Sequence, residues 1–327
     1  MSGRRFILRG TSSVTTTVAY EQSLSEGQLR SRASRRRLFS KLPAIIGTLP
    51  MMIVAIGVFV IGIGFTIVLS FTNSKLFPSF NFVGMRQYEI LWSTPRWVES
   101  VKHIWFYGFG HIALCLGLGF LLAVFMDQRV RGEDAFRTIF LYPFALSAVI
   151  TGLVWQLMLD PNWGFQAFVR SFGFADFSFA PLASGNTALF GMVVASVWNG
   201  AGVTMAILLA GLRGVDEEIW KAAKIDGIPT WRTYISIVIP MMRGAVATAT
   251  VLLVVNVVRT FDIVIAMTGG GPGIATQMPA TYVIDNINAR NVGHGMAAAT
   301  CMLLPIAALI ILQAIVSLRA SQRRRAA

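Results

Sequence analysis

Residues 217 to 240 read EEIWKAAKIDGIPTWRTYISIVIP, a polar island between two long apolar runs. Asp216, Glu217 and Glu218 stand where a helix would begin, and anions there complement the exposed amides of a first turn. Lys221 and Lys224 follow near its end. Gly227 can take the left-handed conformation that stops a helix, and Pro229 opposes an immediate restart. The spacing predicts a two-turn helix held between membrane spans. Ile219, Ala222 and Ala223, at i, i+3 and i+4, share one face, and the two alanines are small enough to admit another protein's surface closely.

The surrounding chain explains why such an island stands out. Of 327 residues, 55% are hydrophobic and only 13% charged, too apolar for a soluble domain of this length. The net charge of +13 does not point to nucleic acid, because the basic residues sit at the ends of apolar runs rather than among polar and aromatic ones. Cys115 and Cys301 lie inside such runs as small hydrophobes, and His103, His111 and His294 make no metal-ligand spacing.

Residues 1–43 form a basic tail too polar to fold alone, suited to holding the first span against anionic membrane lipid. Its Ser34 to Lys41 run, SRRRLFSK, has the look of a twin-arginine signal, but the uncharged segment after it is far longer than a signal-peptide core. Residues 44–327 are expected to form the transmembrane domain, with a first span at about 48–71. Uncharged intervals follow between Lys102 and Asp127, Arg137 and Asp160, Asp176 and Arg213, and Arg290 and Arg319. Between Arg243 and Arg259 the apolar run is only about 22 Å of helix, short for a hydrocarbon core of about 30 Å. A single fifth helix from about Gly244 to Met267 is therefore expected, with Arg259 and Asp262 paired on one face inside its outer half. The alternative ends that helix early and leaves both charges among the headgroups. Pro50, Pro143 and Pro305 should kink or interrupt their spans.

Six spans put both termini on one side. Twenty-one of the 28 Lys and Arg residues fall on the side of the termini and the 213–243 loop, so that side is cytoplasmic. The outer segment Asp160 to Phe179, DPNWGFQAFVRSFGFADFSF, is rich in aromatics and glycines, as either an interfacial belt or a lid or docking surface. The run TGGGPG, Thr268 to Gly273, has no Lys-Ser/Thr after it and is not a P-loop, and no nucleophile has a base to activate it. The chain is not expected to be an enzyme by itself.

AAKIDG followed by Tyr234, Ile237 and Pro240 resembles the EAA loop of binding-protein-dependent ABC importer permeases, whose short helix docks on a cytoplasmic ATPase. Lys221 stands where that family usually has Glu, and Tyr234 where Phe is commoner. The pattern Asn256, Phe261, Asp262, TGGGP, together with RTIFLYP (Arg137 to Pro143) and Asp160-Pro161 with Gly164, is similar to the carbohydrate-uptake branch, of maltose and glycerol-phosphate type, over residues 100–318. The resemblance implies an all-α integral membrane protein with the type I ABC importer fold in the cytoplasmic membrane. It implies Glu218, Ile219, Lys221, Ala222, Ala223, Asp226, Gly227 and Pro240 as the ATPase-coupling residues. It also implies a second permease subunit, two ATP-binding subunits carrying ATP and Mg, and an extracytoplasmic solute-binding protein; the chain itself would bind no cofactor.

A sugar presents hydroxyls and flat apolar faces, so its site needs amides or hydroxyls beside aromatic rings. Ser196, Asn199 and Gly200 in the fourth span, Gln156 in the third, and Asn256, Arg259 and Thr260 in the fifth are the candidate contacts. Hydrogen bonds between helices are the alternative use of the same groups. A polyol or glycerol phosphate in place of a sugar, and an ion-coupled secondary transporter, are the competing functional readings.

Overall fold

The computed structural model describes residues 47–128, 131–305, 307 and 308. The basic tail 1–43, Arg129 and the C-terminal cluster Arg319 to Arg325 lie outside the described residues. The chain divides into two units, Met1–Phe65 and Thr66–Ala327.

Among the described residues every regular element is helical. Thirteen helices serve here: α1 Gly47–Ser70, α2 Arg86–Ser93, α3 Pro95–Asp127, α4 Glu133–Ala145, α5 Ala148–Met158, α6 Phe165–Ser171, α7 Gly185–Leu212, α8 Glu217–Ile225, α9 Thr230–Met241, α10 Arg243–Val258, α11 Asp262–Met267, α12 Pro279–Asn288 and α13 Val292–Pro305. Three of them, α1, α3 and α7, are long and apolar enough to cross a membrane. The bent pairs α4–α5 and α9–α10 raise that number to five, and α13 is a shorter apolar helix.

The most apolar window of α7 is 67% buried against 28% for α3, and α3, α4, α5, α10 and α11 all pack on α7. Its contact with α3 is the most extensive between helices among the described residues. One cluster joins Tyr107, Cys115, Met192, Val197, Leu253 and Val264; a second, toward the other end of α7, joins Met126, Met205, Leu208, Leu212, Val238 and Met242.

One span follows the sequence expectation and another departs from it. The third is interrupted just after Pro143, as two helices bent by 97°. Pro143 lacks an N–H, and Ser147 caps the restart by accepting from the Ile150 amide at 3.2 Å. The fifth is not one helix from Gly244 to Met267. It starts earlier, at Thr230, bends by 77° beyond Pro240, and stops at Val258. Arg259 (φ −84°, ψ 9°) and Phe261 (φ −123°, ψ −57°) leave the helical path before α11 begins at Asp262, and α11 then packs along α5.

Candidate functional site

Two places concentrate the candidate residues. At one end of α7 stands α8, with Glu217 and Glu218 in its first turn and Lys224 in its last, the charge order that suits its dipole. Gly227 sits at φ 67°, and the end closes with two reverse bonds, Ile228 N–H to the Ala223 carbonyl (3.0 Å) and Gly227 N–H to the Lys224 carbonyl (3.2 Å). The sequence located this stop, but not how brief it is. Pro229 caps the next helix, which restarts at Thr230, because proline is tolerated just ahead of a first turn.

The face read from Ile219, Ala222 and Ala223 splits in two. Ala223 is buried at 4% exposure, and neighbouring Trp220 meets Tyr234 edge to face, ring centroids 5.0 Å apart, and Tyr234 in turn meets Phe120. These residues hold α8 to its own bundle. Ile219 is half-buried between the two faces. Outward, at i, i+4 and i+7, point Glu218, Ala222 and Ile225, the last 85% exposed. Lys221 makes only an exposed pair with Glu217 at 3.7 Å, and Asp226 and Pro240 are exposed. Arg213 pins the start of this region to α4 through Glu133 at 2.6 Å.

The second place is a cavity of about 220 Å³ near the midpoint of α7, lined by Ser196, Asn199, Gly200, Asn256, Arg259 and Thr260 among others. These come from two separate stretches, brought together because α10 ends beside α7. Gln156 is not there. Thr151 and Trp155 face α7, the first by a hydrogen bond from Asn199 and the second by its ring against Trp198, which turns Gln156 to the exposed side. A Gln156→Ala chain should therefore transport like the unaltered protein in an uptake assay.

Several polar groups are already engaged within the bundle. The Tyr107 hydroxyl donates to Ser196 Oγ (2.6 Å), and Ser196 Oγ donates back to the Met192 carbonyl (2.8 Å). Asn199 Nδ2 donates to the Pro143 carbonyl (2.7 Å) and to Thr151 Oγ1 (3.1 Å). Thr260 Oγ1 donates to the Asn256 carbonyl (3.0 Å). Gly200 serves packing, since a Cβ there would lie 3.1 Å from Cys115 Sγ and 3.2 Å from His111 Cε1.

Arg259 and Asp262 both line the cavity, yet no ion pair joins them: the broken helix removes the shared face on which the expected pair depended. Among the described residues, the side chains of Asn256, Arg259 and Asp262 make no hydrogen bond, so a guanidinium, a carboxylate and an amide are open to an occupant. Tyr107 and His111 add a wall the sequence reading missed, their rings stacked 5.7 Å apart and 2° from parallel. Their i, i+4 spacing on α3 was the available signal.

The family of binding-protein-dependent transport system inner membrane components matches residues 116–322. The chain is 35% identical over 267 residues to a probable ABC transporter permease protein of Pyrococcus horikoshii, covering 80% of this chain and 91% of that one. It is 30% identical over 222 residues to the trehalose/maltose transport system permease protein MalF of Thermococcus litoralis (67% and 74% covered). It is 32% identical over 228 residues to the sn-glycerol-3-phosphate transport system permease protein UgpA of Rhizobium meliloti (68% and 75%). Among solved structures, a chain of a bacterial alginate ABC transporter, crystallised with its alginate pentasaccharide-bound periplasmic protein, superposes with a TM-score of 0.70 at 16% identity, over 85% of this chain and 94% of that one.

Proposed function

This chain belongs to the family of binding-protein-dependent transport system inner membrane components, and from that premise we propose that it is one membrane-spanning subunit of an ATP-driven importer for a sugar or oligosaccharide. It crosses the cytoplasmic membrane six times with both termini inside, as the distribution of Lys and Arg favours. A second permease subunit, two ATP-binding subunits and an external solute-binding protein complete the assembly. ATP and Mg belong to the ATP-binding subunits. Closure of those subunits pulls on α8, the bundle turns its cavity outward, and hydrolysis returns it.

The cavity at the midpoint of α7 carries this proposal. Asn199 lies 14 residues from Gly185, about 21 Å of helix, so the polar groups lie deep in the bilayer where only a transported or bridging partner justifies them. The buried, stacked Tyr107 and His111 rings give the cavity an apolar side, and Asn256, Arg259 and Asp262 suit the hydroxyls of a sugar. Ser196 and Asn199 act one step back: Ser196 aims the Tyr107 hydroxyl, and Asn199 fixes the α4–α5 bend. Tyr107→Phe should lower uptake by about fivefold, the loss of one buried hydrogen bond, without reducing the amount of assembled complex.

One observation favours a second reading. Arg259 has no carboxylate bound to it, which leaves it available to a phosphate, as glycerol phosphate would require. Uptake into proteoliposomes containing the full assembly separates the two. With a neutral sugar as cargo, Arg259→Gln lowers uptake by no more than about tenfold. With glycerol phosphate it removes uptake almost completely. Uptake of neither class in the unaltered assembly would refute both readings.

A further inference from the structure

Between α5 and α7, at the end of the bundle away from α8, the chain buries a polar side chain and exposes a row of aromatic ones. In α6 the polar Gln166 is buried at 6% exposure, its Oε1 accepting from the Phe179 amide at 2.6 Å. The aromatic residues point the other way: Phe168 and Phe172, one turn apart with rings 4.9 Å from each other, are 61% and 68% exposed. Trp163 before the helix is 84% exposed and Phe174 after it 65%. Water selects the opposite arrangement, so the medium around this segment is apolar.

Chain continuity identifies that medium. The patch begins where α5 ends: a Cβ on Gly164 would overlap the carbonyls of Leu157 and Met158, so α6 starts directly against the last turn of the span. The outward residues of α5, Ile150, Leu153 and Leu157, are apolar and exposed as well. Two of the three charges of the segment are tied to backbone, Asp160 Oδ1 accepting from the Asn162 and Trp163 amides and Arg170 Nε donating to the Phe177 carbonyl, while Arg170 and Asp176 stay exposed among the aromatic rings, the mixture that a headgroup boundary accommodates. A partner that docks and leaves would return four aromatic side chains to water in every cycle, whereas a lipid surface covers them permanently.

We propose that α6 and its flanking turns form an interfacial anchor, with Trp163, Phe168, Phe172 and Phe174 inserted at the boundary between phospholipid headgroups and acyl chains on the outer leaflet. The anchor rests on the chain spanning a bilayer and not on what is transported.

Trp163 reports on it directly. The full assembly is reconstituted into nanodiscs of phosphatidylcholine and phosphatidylglycerol, with or without bromine on the acyl chains near their carboxyl ends. The emission of Trp163 is obtained as the difference between the unaltered chain and Trp163→Phe. Bromine should lower that emission by about twofold, and aqueous iodide should leave it unchanged. In a chain carrying Phe168→Ser, Phe172→Ser and Phe174→Ser the pattern should reverse toward iodide. Quenching by iodide in the unaltered chain, or by neither agent, overturns the anchor. So does shielding that arises only when the solute-binding protein is added, which would assign the surface to that protein.

Discussion

An Ala222→Arg chain should insert into the membrane and fold, yet fail to retain the ATP-binding subunits. Ala222 lies between Glu218 and Ile225 on the outward face of α8, and in the docking proposed above the partner's surface would come within a methyl group of the backbone there. A guanidinium there either blocks that approach or is buried without a counter-charge, at a cost of several kcal/mol. The affinity for the ATP-binding subunits should fall on the order of 1000-fold, and transport with it. Ala223→Arg should fail differently. That side chain is 4% exposed and faces its own bundle beside Trp220, so the change damages folding rather than docking. Size-exclusion profiles of the isolated permease, read beside co-purification of the ATP-binding subunits, distinguish the two. Equal loss of monodisperse permease in both variants would refute the division of α8 into an inner and an outer face.

Gly202→Val should remove most of the folded protein. A Cβ at this position would overlap the Phe140 carbonyl, so the obstacle is the backbone of α4 and no side-chain rotation relieves it. Moving α4 away would also draw Pro143 from Asn199, three residues before Gly202 on the same helix, and open the bend that shapes the cavity. A cost of about 3 kcal/mol, the upper end of ordinary overpacking, is expected. Thermal unfolding in detergent should show a lowered midpoint, and uptake should be lost even from the fraction that survives. Gly202→Ala should give the same defect in weaker form.

These two positions also separate what the chain declares locally from what it does not. The helix at 217–225 was legible because its caps are local: acids at one end, Gly227 at the other, with bonds spanning three to five residues. Polar residues within apolar runs likewise exposed Ser196, Asn199, Asn256, Arg259 and Thr260 as unusual. Their uses were not legible, because the partners are remote: Asn199 meets Pro143 and Thr151, 56 and 48 positions away, and Tyr107 meets Ser196 across 89. The inward turn of Ala223 follows from the edge-to-face contact of Trp220 with Tyr234 across the intervening stop, which helical spacing within α8 alone does not encode. The spacing of Arg259 and Asp262 implied a pair only while the helix was assumed to continue. Apolar composition is nearly blind to breaks of one to three residues, so the interruptions of the fifth span were not visible as hydrophobicity, whereas Pro143 marked the bend of the third.

Phe120, Tyr234 and Trp220 form an unbroken aromatic splice from α3 to α8. Tyr107 lies 13 residues from Phe120 on the same α3 rod, about 20 Å away, and α3 carries proline only at its first residue. If α8 is gripped as proposed, torque applied at Ile225 would therefore pass along a stiff shaft to the ring that walls the cavity rather than be dissipated as local rocking of a loose finger, gearing motor to cargo through one helix.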